Sequence, residues 1–185
     1  MTLPRGFKAH AEREAARLRR EMGKTPADPI VIDALARHLD VTVVGAEALV
    51  ARSRLEEIER LQAFAFSAAT FEIRDRRIIV TNPLRTPGRL ASDVAHELAH
   101  LLLEHQLSEV RELDGVLFRT CKPDEEEQAT AFGGTLLLPR PLLIHTALCG
   151  EGPEDIAARC GVTVEMARFR YHTTGVAKQA RRRSG

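Results

Sequence analysis

Along Arg5 to Met22 the apolar residues fall at Phe7, Ala11, Ala15, Leu18 and Met22. That spacing makes one stripe on a helix, with Arg and Glu on the other face. Gly23 and Pro26 end it. A second helix is predicted over Pro29 to Leu39, burying Ile32, Leu35, Ala36 and Leu39. Val41 to Val44 is short and β-branched, a strand, and Ser53 to Leu61 reads as a weaker helix. From Gln62 to Asn82 the period shortens to two. Phe64, Phe66, Phe71 and Ile73, then Ile78 and Val80, predict two or three strands with a turn near Asp75-Arg76. Beyond the break at Pro83 to Gly88, a long helix runs to about His105, with Leu90, Val94, Leu98, Leu101 and Leu102 spaced for burial. A helix over Glu125 to Leu138 stops at Pro139, and a short one follows over Pro141 to Leu148. Two more flank Gly161 between Pro153 and Thr174. The fold class expected is α+β, helix-dominated, with a small antiparallel or mixed sheet. Residues 1–150 form the main domain, 151–175 a helical extension packed on it, and 176–185 a basic, unstructured tail.

The 185 residues suit one domain with a small appendage. Tryptophan is absent and aromatics are 4%, so Leu, Ile, Val and Ala must build the core. A net charge of +1 excludes a polyanion binder that acts through the whole molecule. Cys121, Cys149 and Cys160 form no Cys-x-x-Cys pair, which points to reduced thiols and a cytosolic location. Met1 to His10 lacks the apolar core of a signal peptide, and no apolar run approaches the roughly 20 residues that span a bilayer. A cytoplasmic protein without a membrane partner is expected.

The chemistry sits in His96-Glu97-Leu98-Ala99-His100, an HExxH pattern within the long apolar helix. Residues four apart on a helix differ by only about 40° in direction, so both imidazoles face one side. They supply half of a tetrahedral zinc site. Glu97 is placed as general base, taking a proton from water and later delivering one to the leaving amine. A hydrolytic site needs a third protein ligand. Metzincin spacing would require a histidine at 106 and a glycine at 103, but Gln106 and Leu103 stand there. His105 lies about 140° round the helix from His100 and points away from the pair. The downstream helix offers Asp124, Glu125, Glu126 and Glu127. Glu126 shares the buried face of Ala129, Phe132, Gly133, Leu136 and Leu137, Glu125 lies at its edge, and Asp114 is a further alternative. Gly133 and Gly134 would let the two helices approach closely.

The sequence resembles the ImmA/IrrE family of intracellular metallopeptidases. The resemblance rests on Asp93-Val-Ala-His-Glu-Leu-Ala-His100 and on Glu126 to Pro139, EEQATAFGGTLLLP. The strand Ile78 to Asn82 and the opening Arg5-Gly6-Phe7-Lys8 also fit. It implies a zincin-like domain binding one Zn2+ per chain through His96, His100 and Glu126, with Glu97 as catalytic acid/base. It further implies a protein substrate, a helix-turn-helix repressor that is cleaved or inactivated. Three positions depart from the family pattern. Ala99 replaces a glycine, Gly133 an alanine, and Thr130 an asparagine, which alters any contact from that side chain to a ligand.

Candidates for stabilising the oxyanion are Tyr171, His145, His172 and Arg168. By analogy with related zinc peptidases, the strand Arg77 to Thr81 could pair with an extended peptide. Cys121 is expected to be an inert thiol. Ile156 to Thr163 resembles a helix-turn-helix with Thr163 capping a second helix that carries Arg168, Arg170 and His172, before Lys178, Arg181, Arg182 and Arg183. These helices either hold DNA phosphates or complete the peptidase domain. The alternative function is thus a non-proteolytic regulatory or DNA-binding protein on a metallopeptidase fold.

Overall fold

The computed structural model describes residues 3–63, 66–105, 110–113, 116–119 and 122–183, the side chains of 110–113, 116–119 and 180–183 excepted. The helical stripe at the N-terminus folds as α1 (Phe7–Glu21), followed by α2 (Ile32–His38), β1 (Val41–Gly45) and α3 (Arg52–Leu61). The alternating segment folds as β2 (Ala68–Ile73) and β3 (Arg76–Thr81). Their two-residue turn is Arg74-Asp75, both left-handed at φ 50 and 62, the geometry that matches strand twist in a tight hairpin. The long helix is α4 (Pro87–Leu102). A hairpin of β4 (Val110–Leu113) and β5 (Val116–Arg119), which the hydrophobic pattern did not predict, leads to α5 (Pro123–Leu137) and α6 (Arg140–Leu148).

The main sheet is mixed, in the order β1-β3-β2, with β1 parallel and β2 antiparallel to β3. One face carries Val41 and Ile79 into the large core with Leu18, Leu35, Val94, Leu98, Phe132 and Leu136. The other packs Val80 against Leu55 of α3, with Ile78 and Phe66 beside them. Because β3 is central and paired on both sides, the expectation that Arg77 to Thr81 could accept a peptide is wrong. Its N–H and C=O groups already serve β1 and β2.

Arg19, on what reads as the polar side of α1, is fully buried. Its Nη2 donates to Leu136 O at 2.9 Å and Nε to Asp28 O at 3.0 Å, while Nη1 reaches Ala15 O at 3.2 Å. Burial pulls the guanidinium down to about 10, so it stays charged at neutral pH. Arg170 completes the arrangement, donating to Leu138 O through Nε at 3.1 Å and to Glu12 Oε1 through Nη2 at 3.0 Å. Two cations therefore satisfy carbonyls at the C-terminal end of α5, where the helix dipole favours positive charge. Arg19→Met should keep the packing of the stem but strand these acceptors, at about 1–3 kcal/mol each. A thermal melt is expected to show a loss of about 6–12 °C, taking about 3 kcal/mol for a chain of this size. A Tm within about 2 °C of wild type would contradict that role.

The remaining helices are α7 (Pro153–Cys160), α8 (Val164–Thr173) and α9 (Val176–Arg183). Gly161 closes α7 at φ 64, and Thr163 caps α8 by accepting from Met166 N at 3.2 Å, as the sequence predicts. Ile156, Ala157, Val162, Ala167 and Val176 are buried in the same core as α1, α4 and α5. At Gly88 a β-carbon would stand 2.8 Å from the Val162 carbonyl carbon, so the turn between α7 and α8 rests backbone-close on the start of α4. The expectation of an unstructured tail from residue 176 is overturned by α9, anchored at the buried Val176. Among the described residues no helix is long and apolar enough to cross a membrane. Cys149 and Cys160 are free thiols; Cys121 lies outside the described residues.

Candidate metal centre

Helix α4 begins with proline, which suits a first turn that lacks N–H partners, and buries Val94, Ala95, Leu98 and Ala99 against the core. Helix α5 lies directly on it. At Gly133 a β-carbon would come within 2.9 Å of Ala95 O and 3.0 Å of His96 N, so the two backbones touch where the ligand-type residues sit. A glycine here permits an approach that any side chain would push apart.

That approach brings three side chains together. His96 Nε2 and His100 Nε2 stand 3.0 Å apart. Glu126, in the first turn of α5, lies with Oε2 3.1 Å from His96 Nε2 and Oε1 3.4 Å from His100 Nε2. Ligand atoms on a tetrahedral zinc are about 3.3 Å apart, given bonds of about 2.0–2.1 Å. Two imidazoles and one carboxylate at that spacing form a group that could hold a metal ion. Hydrogen bonds from His100 first, then His96, pull the Glu126 carboxyl well below the usual carboxylate range, which keeps it anionic. Glu125 turns instead to Lys122 at 2.9 Å, and Asp114 lies outside the described residues.

The far nitrogens of both histidines are also engaged. His100 Nδ1 meets His105 Nδ1 at 3.0 Å, and His96 Nδ1 lies 3.4 Å from the Thr130 hydroxyl. Such partners fix ring orientation and turn both Nε2 atoms toward the Glu126 carboxylate. His105, expected to point away from the pair, instead meets the outer nitrogen of His100, because α4 ends at Leu102 and Glu104 turns left-handed at φ 54. Burial pushes the His105 imidazole pKa down, and His100 adds to this, so it favours the neutral form. Asp93, one turn earlier, is buried and pairs with Arg89 at 2.9 Å. Burial raises its carboxyl pKa, with Arg89 opposing.

Glu97 is 7% exposed and accepts a hydrogen bond from Thr70 Oγ1 at 2.5 Å, Thr70 being itself buried on β2. Sequence reasoning missed Thr70. The available signal was a hydroxyl in an otherwise apolar stretch of a strand preceding the HExxH helix. The oxyanion candidates are scattered. Tyr171 is partly buried against the core, His145 and His172 are exposed, and Arg168 pairs with Glu154. None is hydrogen-bonded or ion-paired to the metal group among the described residues.

A family model for the IrrE N-terminal-like domain matches residues 51–172, from α3 to α8. The chain belongs to this ImmA/IrrE peptidase family. The ImmA/IrrE match includes α4 and α5, and it continues through α7 and the body of α8. Among solved structures, a Mycobacterium tuberculosis transcriptional regulator shares the fold, with a TM-score of 0.54 and 19% identity over 91% of this chain. The chain spans 47% of that structure's length, just under half. Among curated proteins, none matches.

Proposed function

We propose that this ImmA/IrrE member is an intracellular zinc-dependent endopeptidase that cuts a helix-turn-helix transcriptional regulator. The observation that carries the reading is the convergence of His96, His100 and Glu126 beside a buried Glu97. Two imidazoles and a carboxylate suit zinc best among common divalent ions. The ion would act as a Lewis acid on the scissile carbonyl and acidify a water toward a pKa of about 7. Glu97 would accept a proton from the attacking water and return it to the leaving nitrogen. Thr70 donates to Oε2 and so leaves Oε1 as the proton-carrying oxygen.

The peptide has one well-placed edge to follow. Among the described residues β2 is paired only to β3, and its other edge is open beside α4. An extended substrate added there runs past Thr70 and Glu97. The opposite edge, β1, borders a groove of about 420 Å³ that includes Asp33, Arg37 and Asp40 and none of the metal group.

The DNA-binding alternative loses Arg170, which is committed to Leu138 O and Glu12, and its α7–α8 turn is packed on α4. A regulatory role rests on the family resemblance; the Mycobacterium tuberculosis protein, itself a transcriptional regulator, is similar in fold.

The test is incubation of the zinc-loaded protein with small helix-turn-helix proteins encoded in neighbouring reading frames, followed by intact mass measurement. Defined fragments that a chelator suppresses are expected. Unchanged masses, with the partner nonetheless losing DNA affinity on contact, would favour the non-proteolytic alternative.

A further inference from the structure

Successive residues of β2 point to opposite sides of the sheet, so Ala68, Thr70 and Glu72 share one face and Ala69, Phe71 and Ile73 the other. Thr70 turns inward to Glu97, and by the same pleat Phe71 and Ile73 must turn outward. They are 45% and 54% exposed, although apolar alternation alone would make them core residues. Helix α3 covers only part of that face. Leu55 packs on Val80 and Ile78, while Phe71 and Ile73 extend past it, opposite Ile78 and Arg76 of β3. Two large apolar side chains half in water, on a strand whose outer edge is unpaired among the described residues, form a surface suited to an added strand.

We infer that Phe71 and Ile73 are a specificity surface that selects extended peptides with bulky apolar residues at alternate positions. The placement near a cut bond rests on the peptidase reading above; the binding preference does not. An extended chain added to β2 lies about 4.8 Å away, and its side chains alternate in step with those of β2. Those on the outer face become cross-strand neighbours of Phe71 and Ile73, within about 4.5–5.5 Å between β-carbons. The inner face is set by Thr70, so the peptide residue beside Phe71 is the immediate chain neighbour of the one beside Thr70 and Glu97. The surface thus reads residues within one to three positions of the bond that Glu97 addresses. A peptide occupant fits better than a globular one. The patch is narrow, it lies along one strand, and it is continuous through Thr70 with the Glu97 site.

The experiment uses full-length, zinc-loaded Glu97→Gln protein, so that binding is read without cleavage. The probes are short acetylated and amidated peptides in an immobilised array, alternating Thr with Val, Leu or Phe in one set and Thr with Ser in the other. The apolar set is expected to bind about tenfold more tightly, as burial of one or two apolar side chains would give. The double variant Phe71→Thr/Ile73→Thr keeps strand-forming residues at exposed positions, and it should narrow the preference to within about twofold with an unchanged melt. An undiminished preference in the double variant would overturn the proposal, as would equal binding of both peptide sets. So would a dimer in sedimentation that the double variant dissociates, since a second copy would then be the occupant. Wild-type protein that binds with the stated preference but cuts no array peptide, by mass spectrometry, would uphold this surface and remove the hydrolase reading.

Discussion

Glu97→Gln is expected to eliminate hydrolysis while leaving the metal bound. The amide has nearly the shape of the carboxylate, and its oxygen can still accept from Thr70 Oγ1, so α4 and β2 should keep their contact. It cannot accept a proton at neutral pH. General acid–base assistance contributes about 10²–10⁴-fold, and the rate of fragment formation should fall by at least that factor. The metal group is untouched, because His96, His100 and Glu126 make their contacts without Glu97. Fragment formation at the wild-type rate would mean that another group moves the proton. Loss of metal together with activity would mean that Glu97 is part of the ligand set.

The helices were legible because each buries a stripe at helical spacing. α1, α4 and α5 lie within a few residues of where Leu18, Val94, Leu98, Phe132 and Leu136 predict them. The convergence of His96, His100 and Glu126 was legible for a related reason. Positions 96 and 100 share a side by helical period, and Glu126 shares the face of Ala129 and Phe132, which is the face that meets α4. Sequence period says nothing of tertiary partners, and the misreadings follow from that. β3 looked available for a peptide because its pairing to β1 is a contact across some 36 positions, Val41 with Arg77. In β2 the alternation was correct, but it did not say which face is the inner one. Hydropathy favours Phe71 and Ile73, yet the inner side is taken by Thr70 because Glu97 needs a donor there. Arg19 and Arg170 read as surface charge for the same reason, since their partners are carbonyls at the end of α5, remote in sequence. The tail was judged by charge alone, and Val176 gives α9 its anchor.

The direct test of the central claim is the metal content of protein purified without added metal, wild type beside His100→Ala. Removing His100 leaves two donors, His96 and Glu126, of a set that needs three. Even an outer partner of a ligand is worth about 10–100-fold in affinity, so loss of a ligand should cost more than that. Close to one equivalent of zinc is expected in the wild type and only a trace in the variant, with both folded by circular dichroism. Equal trace amounts in the two proteins, or equal full occupancy, would contradict the account.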